Sequence, residues 1–274
     1  MSEHPADHSL PPPKSEPIFN LPAVVVWLIL LLAGIQAGRE FLSAMADFSV
    51  VSWFAFVPAR LSLWLDPERA TEIATALTQT LSGQDLADRA QLVAFMLGDS
   101  GPRLWTLLSY GLLHGSWLHL ISNVVWFAAF GSPVARRLGP GRFLNLMALS
   151  TIAGALLHWW SRELDVLPLV GASAAVSGAT AAAIRFVFSP GLRFGELSDD
   201  AVVRAIPAER FGQIWRNPRA LLFIAIWFVT NFIFGAGLIP ILGEETSIAW
   251  EAHIGGFLVG LLLFPLLDRG AVRH

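Results

Sequence analysis

The chain has 274 residues, 54% of them hydrophobic and only 14% charged, against about 25% charged in ordinary soluble domains. There are 11 Trp and 19 Phe against one Tyr, and the mean hydropathy is +0.58, a balance that suits a chain solvated largely by lipid. The net charge of −3 gives no reason to expect nucleic acid, and the absence of Cys excludes disulfides, thiolate metal sites, Cys nucleophiles and S-palmitoylation.

The chain opens on "MSEHPADHSLPPPKSEP", whose three consecutive prolines predict a disordered segment over residues 1–18. A spanning helix needs ~20 mostly apolar residues. Six segments qualify, at roughly 21–43, 116–135, 142–160, 171–188, 219–241 and 248–267. The first lacks a basic flank and is too long for a signal-peptide core, so it reads as an uncleaved span. The expected fold is therefore an all-α polytopic membrane protein, a six-transmembrane-helix bundle over residues 19–268 with a short tail at 269–274. Between the first two spans lies a long loop, 44–102. Its stretch "VVSWFAFVPARLSLWL" (50–65) reads as an element lying in the interface or, alternatively, as a folded hairpin with its own small core. Residues 66–91 are polar and read as solvated helix or loop.

Orientation follows from Arg placement. Arg136, Arg137 and Arg142 sit in one connection, Arg193, Arg204, Arg210 and Arg216 in another, and Arg269 and Arg273 in the tail. The connections 161–170 and 242–247 hold only Arg162. Both termini are then cytoplasmic and the 44–102 loop external, although that loop carries Arg60, Arg69 and Arg89.

Strongly polar residues inside spans are costly and are functional candidates by default. They are His119 and Asn123 in the second span, Asn145 and His158 in the third, Ser173, Ser177, Thr180 and Arg185 in the fourth, Asn231 in the fifth, and Glu251 and His253 in the sixth. Most have plain readings. His158 precedes Trp159 and Trp160 at a span end, where an interfacial belt is expected. Arg185 is close enough to an end to snorkel, and Asn145 and Asn231 read as helix–helix glue.

His119, Ser173 and His253 differ. The second, fourth and sixth spans run in the same direction, and each of these residues falls within the first two turns of its span. All three thus share a depth in the outer leaflet. His253, Gly256 and Gly260 line one stripe; Ser173, Ser177, Thr180 and Ala181 form a face of small side chains. Two small faces can dock closely in lipid, which would bring the His253 ring to the Ser173 hydroxyl. A serine beside an imidazole is the minimum for nucleophilic catalysis. The N-terminus of the fourth helix offers N–H donors for an oxyanion, and His119 and Asn123, one turn apart, offer side-chain donors. Glu251 lies about 200° around the helix from His253, so a Ser-His dyad fits better than a triad. No metal is expected, because no HExxH or carboxylate accompanies His114 and His119, and no cofactor is expected.

At these residues the chain resembles the rhomboid intramembrane serine proteases. "LHGSWLHLISN" (113–123) is similar to their motif of two histidines followed by asparagine. "GASAAVSG" (171–178) is similar to their Gly-x-Ser-Gly motif, and "AHIGGFLVG" (252–260) to Ala-His-x-x-Gly-x-x-x-Gly. The resemblance implies Ser173 as nucleophile, His253 as general base and His119 with Asn123 in the oxyanion hole. It implies a serine endopeptidase that hydrolyses transmembrane protein substrates near their outer ends, in a lipid bilayer, which here is a bacterial inner (plasma) membrane. Three departures stand out. Ala174 replaces the usual Gly after the nucleophile, and its methyl would crowd the oxyanion pocket. Ala135 replaces an acidic residue, and the first loop lacks a Trp-Arg pair. A catalytically inactive relative that binds membrane-protein clients is the alternative, with Ala174 its sole support. A secondary transporter would need midplane polar residues in broken helices or two similar halves, and neither is present.

Overall fold

The computed structural model describes residues 20–80, 83–98, 101–235 and 249–268. The segment 1–18, the tail 269–274, residues 236–241 of the fifth predicted span and the 242–247 connection lie outside the described residues.

The described residues are helical, with no strand among them. Helix α1 (Ala23–Arg39) is followed by α2 (Ala44–Phe54), α3 (Pro58–Leu65), α4 (Ala70–Thr80), α5 (Gly83–Leu97) and the single turn α6 (Thr106–Ser109). Next come α7 (Trp117–Trp126), a π-helical stretch Phe127–Gly131 and α8 (Ser132–Leu138), which together make one continuous 22-residue rod. Helices α9 (Pro140–Ser161) and α10 (Ser173–Val187) follow, then the short α11 (Asp200–Ala205) and α12 (Phe211–Ile214). The last two are α13 (Pro218–Gly235) and α14 (Trp250–Leu267).

Local chemistry sets the boundaries. The Ser43 hydroxyl accepts from the Ala46 N–H at the start of α2, and Ser116 accepts from the His119 N–H at the start of α7, each satisfying a free helix-start donor. Gly139, at φ +75°, lets the chain leave α8 and re-enter α9 at Pro140.

Among the described residues, three helices are long and apolar enough to cross a membrane: Trp117–Leu138, Pro140–Ser161 and Trp250–Leu267. The chain is an integral membrane protein. The other predicted spans correspond to the 17 residues of α1, the 15 of α10 and the apolar part of α13, Pro218–Ile233. Helix α10 is nevertheless enclosed along most of its length, buried at Ala174 and continuously from Val176 to Val187.

The stretch 50–65 is helical on either side of Phe56 and shares a core with residues from 66–97. Helices α2–α5 fold on each other around Val57, Ala59, Ile73 and Met96, joined by Val166 from the segment before α10. This is the hairpin with its own core. Arg60 is buried within it and donates to the Ser52 carbonyl. A Trp-Arg pair absent as adjacent residues exists in space, since the Arg103 guanidinium lies 4.0 Å above the Trp53 ring.

The centre of the bundle is α14 wedged between α9 and α10. Adjacent glycines on a helix point about 100° apart, and Gly255 and Gly256 use that angle to face two neighbours. A Cβ on Gly255 would lie 2.5 Å from the Ala153 carbonyl of α9. One on Gly256 would overlap the Ala174 carbonyl of α10, and one on Gly260 the Gly178 carbonyl a turn further on. In lipid, helices gain little from hiding apolar surface from one another, so association rests on such backbone proximity. The stripe on α14 therefore meets Ala174 and Gly178, one residue round from the predicted Ser173–Ser177 face. Ser173 is left beside the contact instead of beneath it.

At the other end Arg137 is buried, with two nitrogens on Asp268 (2.9 and 3.0 Å) and one on the Val203 and Ile206 carbonyls. Arg185 does not snorkel. It is buried and donates to the Leu261 and Glu209 carbonyls, locking α10 to α14.

Gly260→Val should separate α10 from α14 and lower stability by about 3 kcal/mol or more. Gly141→Ala, where a methyl meets nothing within 4 Å, should stay within about 1 kcal/mol of the parent. Thermal unfolding in detergent measures both, and equal midpoints would contradict the packing described.

Candidate active site

Ser173 starts α10 from a backbone that is fixed before the helix begins. Leu169 exchanges two hydrogen bonds with Phe56 in an isolated antiparallel bridge (2.8 and 3.2 Å). The Gly171 N–H donates to the Tyr110 carbonyl at 3.0 Å, and the Ala172 N–H donates to His114 Nε2 at 3.4 Å. Gly171 itself adopts φ +123°, a conformation that side chains rarely tolerate. Irregular backbone within a membrane protein must find partners inside the protein, and each of these amides has one. Tyr110 is tied in turn to α9 by its hydroxyl, which donates to the Thr151 carbonyl at 2.8 Å.

His114, treated in the sequence only as part of a motif, is thus a structural acceptor. It is almost fully buried, its ring edge meets His119 at a 5.1 Å centroid distance, and its carbonyl accepts from Arg39 at 2.7 Å. Burial above all, with the nearby His119 and Arg39, pushes its pKa down to about 3. The imidazole therefore stays neutral at physiological pH and keeps the lone pair that holds Ala172.

His119 and Ser173 meet across Gly171. A Cβ there would lie 2.7 Å from His119 Cε1, 2.8 Å from His119 Nε2 and 3.7 Å from Ser173 Oγ. The missing side chain is what gives the ring its place beside the serine. Asn123, one turn below His119, is buried and donates one amide hydrogen to the His119 carbonyl at 3.0 Å.

His253 lies on α14 one turn before Gly256, whose Cα touches the residue after Ser173. Its Nδ1 is hydrogen-bonded to Oδ1 of Asn231 on α13. Asn231 is more than the packing residue expected from the sequence. Glu251 faces elsewhere, accepting from Arg162 at 2.8 Å and lying 3.5 Å from His158 Nδ1. His158, in the last turn of α9, is buried in this cluster. Helix rotation separates the cluster from the His253 ring, as the 200° offset requires.

The crowding expected from Ala174 does not arise. Its side chain is 1% exposed and packs with Tyr110, Ala155 and Ala252. A Cβ on Gly154 would lie 2.5 Å from the Ala174 methyl. That methyl points into the α9–α10–α14 junction, where the Ala252 carbonyl also approaches Gly154.

Among the described residues no group of three or more His, Cys, Asp or Glu is placed to hold a metal ion. Of the residues singled out by sequence, the structure thus sets His119 and Ser173 beside Gly171, ties Asn123 to the His119 carbonyl one turn away, and carries His253 on the adjoining helix α14. It gives His114, Gly171 and Asn231 parts that the sequence reading had not assigned them. A glycine two residues before the candidate nucleophile was the visible signal for Gly171. Asn231 had only its polarity inside an apolar span.

The chain is 33% identical over 173 residues to the rhomboid protease GlpG of Pectobacterium atrosepticum, an alignment covering 59% of this chain and 48% of the relative. It is 31% identical to the rhomboid protease GlpG of Yersinia enterocolitica (59% and 47% covered) and to that of Yersinia pestis (62% and 51% covered). The chain spans about half the length of the curated relatives it matches. The family model described as "Rhomboid domain" matches residues 101–269, well over half of the chain and the whole of the region that holds Ser173, His253, His119 and Asn123. The chain belongs to the rhomboid family.

Proposed function

We propose that the protein is an intramembrane serine endopeptidase that hydrolyses peptide bonds of transmembrane substrate proteins near the outer leaflet. The observation that carries this reading is the contact of Gly256 with the Ala174 carbonyl, which sets His253 and Ser173 on facing helix starts. The protease names of the relatives support it.

In this reading Ser173 Oγ attacks the scissile carbonyl carbon while His253 takes the hydroxyl proton. The carbonyl oxygen becomes an oxyanion, met by backbone N–H groups at the start of α10 and by His119 and Asn123. Asn123 has a second amide hydrogen beyond the one donated to the His119 carbonyl. Collapse of the tetrahedral intermediate breaks the C–N bond, and His253 returns the proton to the leaving amine. Water then attacks the acyl-Ser173 ester by the same route and frees the serine. No cofactor or metal enters this scheme.

Six spans with both termini in the cytoplasm, in a bacterial inner membrane, complete the proposal. Its support is the distribution of Arg residues and the correspondence of six apolar helices to the six apolar segments. A catalytically inactive, client-binding relative is the weaker reading. Its one support was Ala174, whose methyl is turned into the core.

Ser173→Ala and His253→Ala should each abolish cleavage of a model single-span substrate in proteoliposomes, and the double variant should be no worse, because the pair acts as a unit. Near-parental cleavage by Ser173→Ala would refute the assignment. Asn123→Ala and His119→Ala should each lower kcat by roughly 10- to 1,000-fold with little change in KM, since oxyanion donors matter mainly in the transition state. A change confined to KM would remove them from that role. Ala174→Gly should lower stability by about 1–2 kcal/mol through the lost buried methyl and the helix penalty of glycine. Its initial rate should not exceed that of the parent, and a faster variant would restore the crowding idea.

A further inference from the structure

We propose that Asn231 is a positioning residue that fixes the tautomer and orientation of the His253 ring, making the site a Ser-His-Asn arrangement instead of a dyad; this rests on the protease reading above.

The argument starts from the amide of Asn231. Its Nδ2 donates to the Trp227 carbonyl one turn back, at 2.8 Å. That bond decides which end of the amide faces where, because a carbonyl can only accept. Oδ1 is therefore the atom presented to His253 Nδ1, as observed. An Oδ1 acceptor requires a hydrogen on Nδ1. In a neutral imidazole the other nitrogen, Nε2, then carries the lone pair. Nε2 is the nitrogen a general base needs free for Ser173.

The surroundings hold Asn231 in register. Trp227, four residues earlier, stacks on Phe257 of α14 at a 4.5 Å centroid distance, and Phe232 meets Trp250 edge-on at 6.0 Å. These two contacts bracket His253 along α14. The one acidic residue nearby in sequence, Glu251, is engaged by Arg162 and His158, so no carboxylate competes for Nδ1. An amide does here what the carboxylate does in a Ser-His-Asp triad, orienting the ring without adding a charge to a lipid-facing site.

The test uses the full chain in proteoliposomes with two readouts: cleavage of a single-span substrate and the rate at which a fluorophosphonate labels Ser173. Asn231→Ala and Asn231→Leu should slow labelling and lower kcat by roughly 10- to 1,000-fold, with KM within about twofold and the melting temperature little changed. Asn231→Asp can still accept from Nδ1 and should recover most of the labelling rate. Its carboxylate favours imidazolium, so activity should be lost at a higher pH on acidification than in the parent. The titratable groups bearing on His253 from the helices around it, His119 on α7, His158 on α9 and Glu251 on its own helix, are unchanged in every variant. Parental labelling by Asn231→Leu would overturn this proposal alone. So would a loss in Asn231→Ala that tracks a fall in melting temperature and is not rescued by Asp. Failure of the parent chain to label at Ser173, or labelling that persists in His253→Ala, would instead overturn the protease reading and this inference with it.

Discussion

The backbone of α14 lies against the backbone of α10 at Gly256 and Gly260, and the positions of the other helices follow from that contact. At this separation no side chain fits between the two helices, so their relative rotation and height are set by carbonyl oxygens instead of adaptable rotamers. Gly255 presses the same helix onto the Ala153 carbonyl of α9, so α14 is located against two neighbours at once. Arg185 ties α10 to α14 through the Leu261 carbonyl, and Arg137 on α8 holds Asp268 just past the end of α14 and the Val203 carbonyl of α11. A group placed near the start of α14 inherits this rigidity. For a proton transfer that depends on a few tenths of an ångström, positional certainty of that kind matters more than added affinity.

A second constraint meets the first from the other side. The segment entering α10 is held by Phe56, Tyr110 and His114, which all belong to the chain between the first and second predicted spans. The small helical hairpin of α2–α5 is thereby joined to the start of α10 by backbone hydrogen bonds. This accounts for the size of the loop. A two-residue turn would connect spans equally well, but it would leave the N–H groups of Gly171 and Leu169 without acceptors in a water-poor interior, each costing a few kcal/mol.

Much of this was legible from the sequence, and the reasons for the misses are specific. The apolar segments and their order emerged because lipid imposes length and hydrophobicity on any span. Ser173 and His253 stood out in the sequence because glycine stripes and polar residues are both scarce in such helices and coincide here. What failed was the angular reading. Periodicity placed Ser173 and Ser177 in the helix contact, whereas Ala174 and Gly178 occupy it. A small-residue face as broad as that of α10 does not single out one contact line. Ala174 was misread for the same reason, since rotation by one residue turns its methyl from the pocket into the core. His158 and Arg185 were judged from their distance along the chain to a span end. Their partners, Glu251 and the Leu261 and Glu209 carbonyls, come from other elements and leave no local trace. The hairpin core could not be assigned because its apolar residues are spread over four helices and the segment at Val166.

The five-residue π-helical stretch at Phe127–Gly131 sets the angular relation between the two ends of its rod. A π segment arises when one residue is inserted into an α-helix, and it absorbs that insertion within a turn or two. Beyond it, every side chain is offset by about 100° from the position an uninterrupted helix would give it. His119 and Asn123 lie before the stretch, and Arg136 and Arg137 after it, so the two ends of one rod serve different neighbours with independent angular settings. A relative whose corresponding rod is purely α-helical would then align with a gap of one residue between Trp126 and Ser132. Both polar clusters would survive in it, and the intervening aromatic packing of Phe127 against Phe143 would be the part that changed.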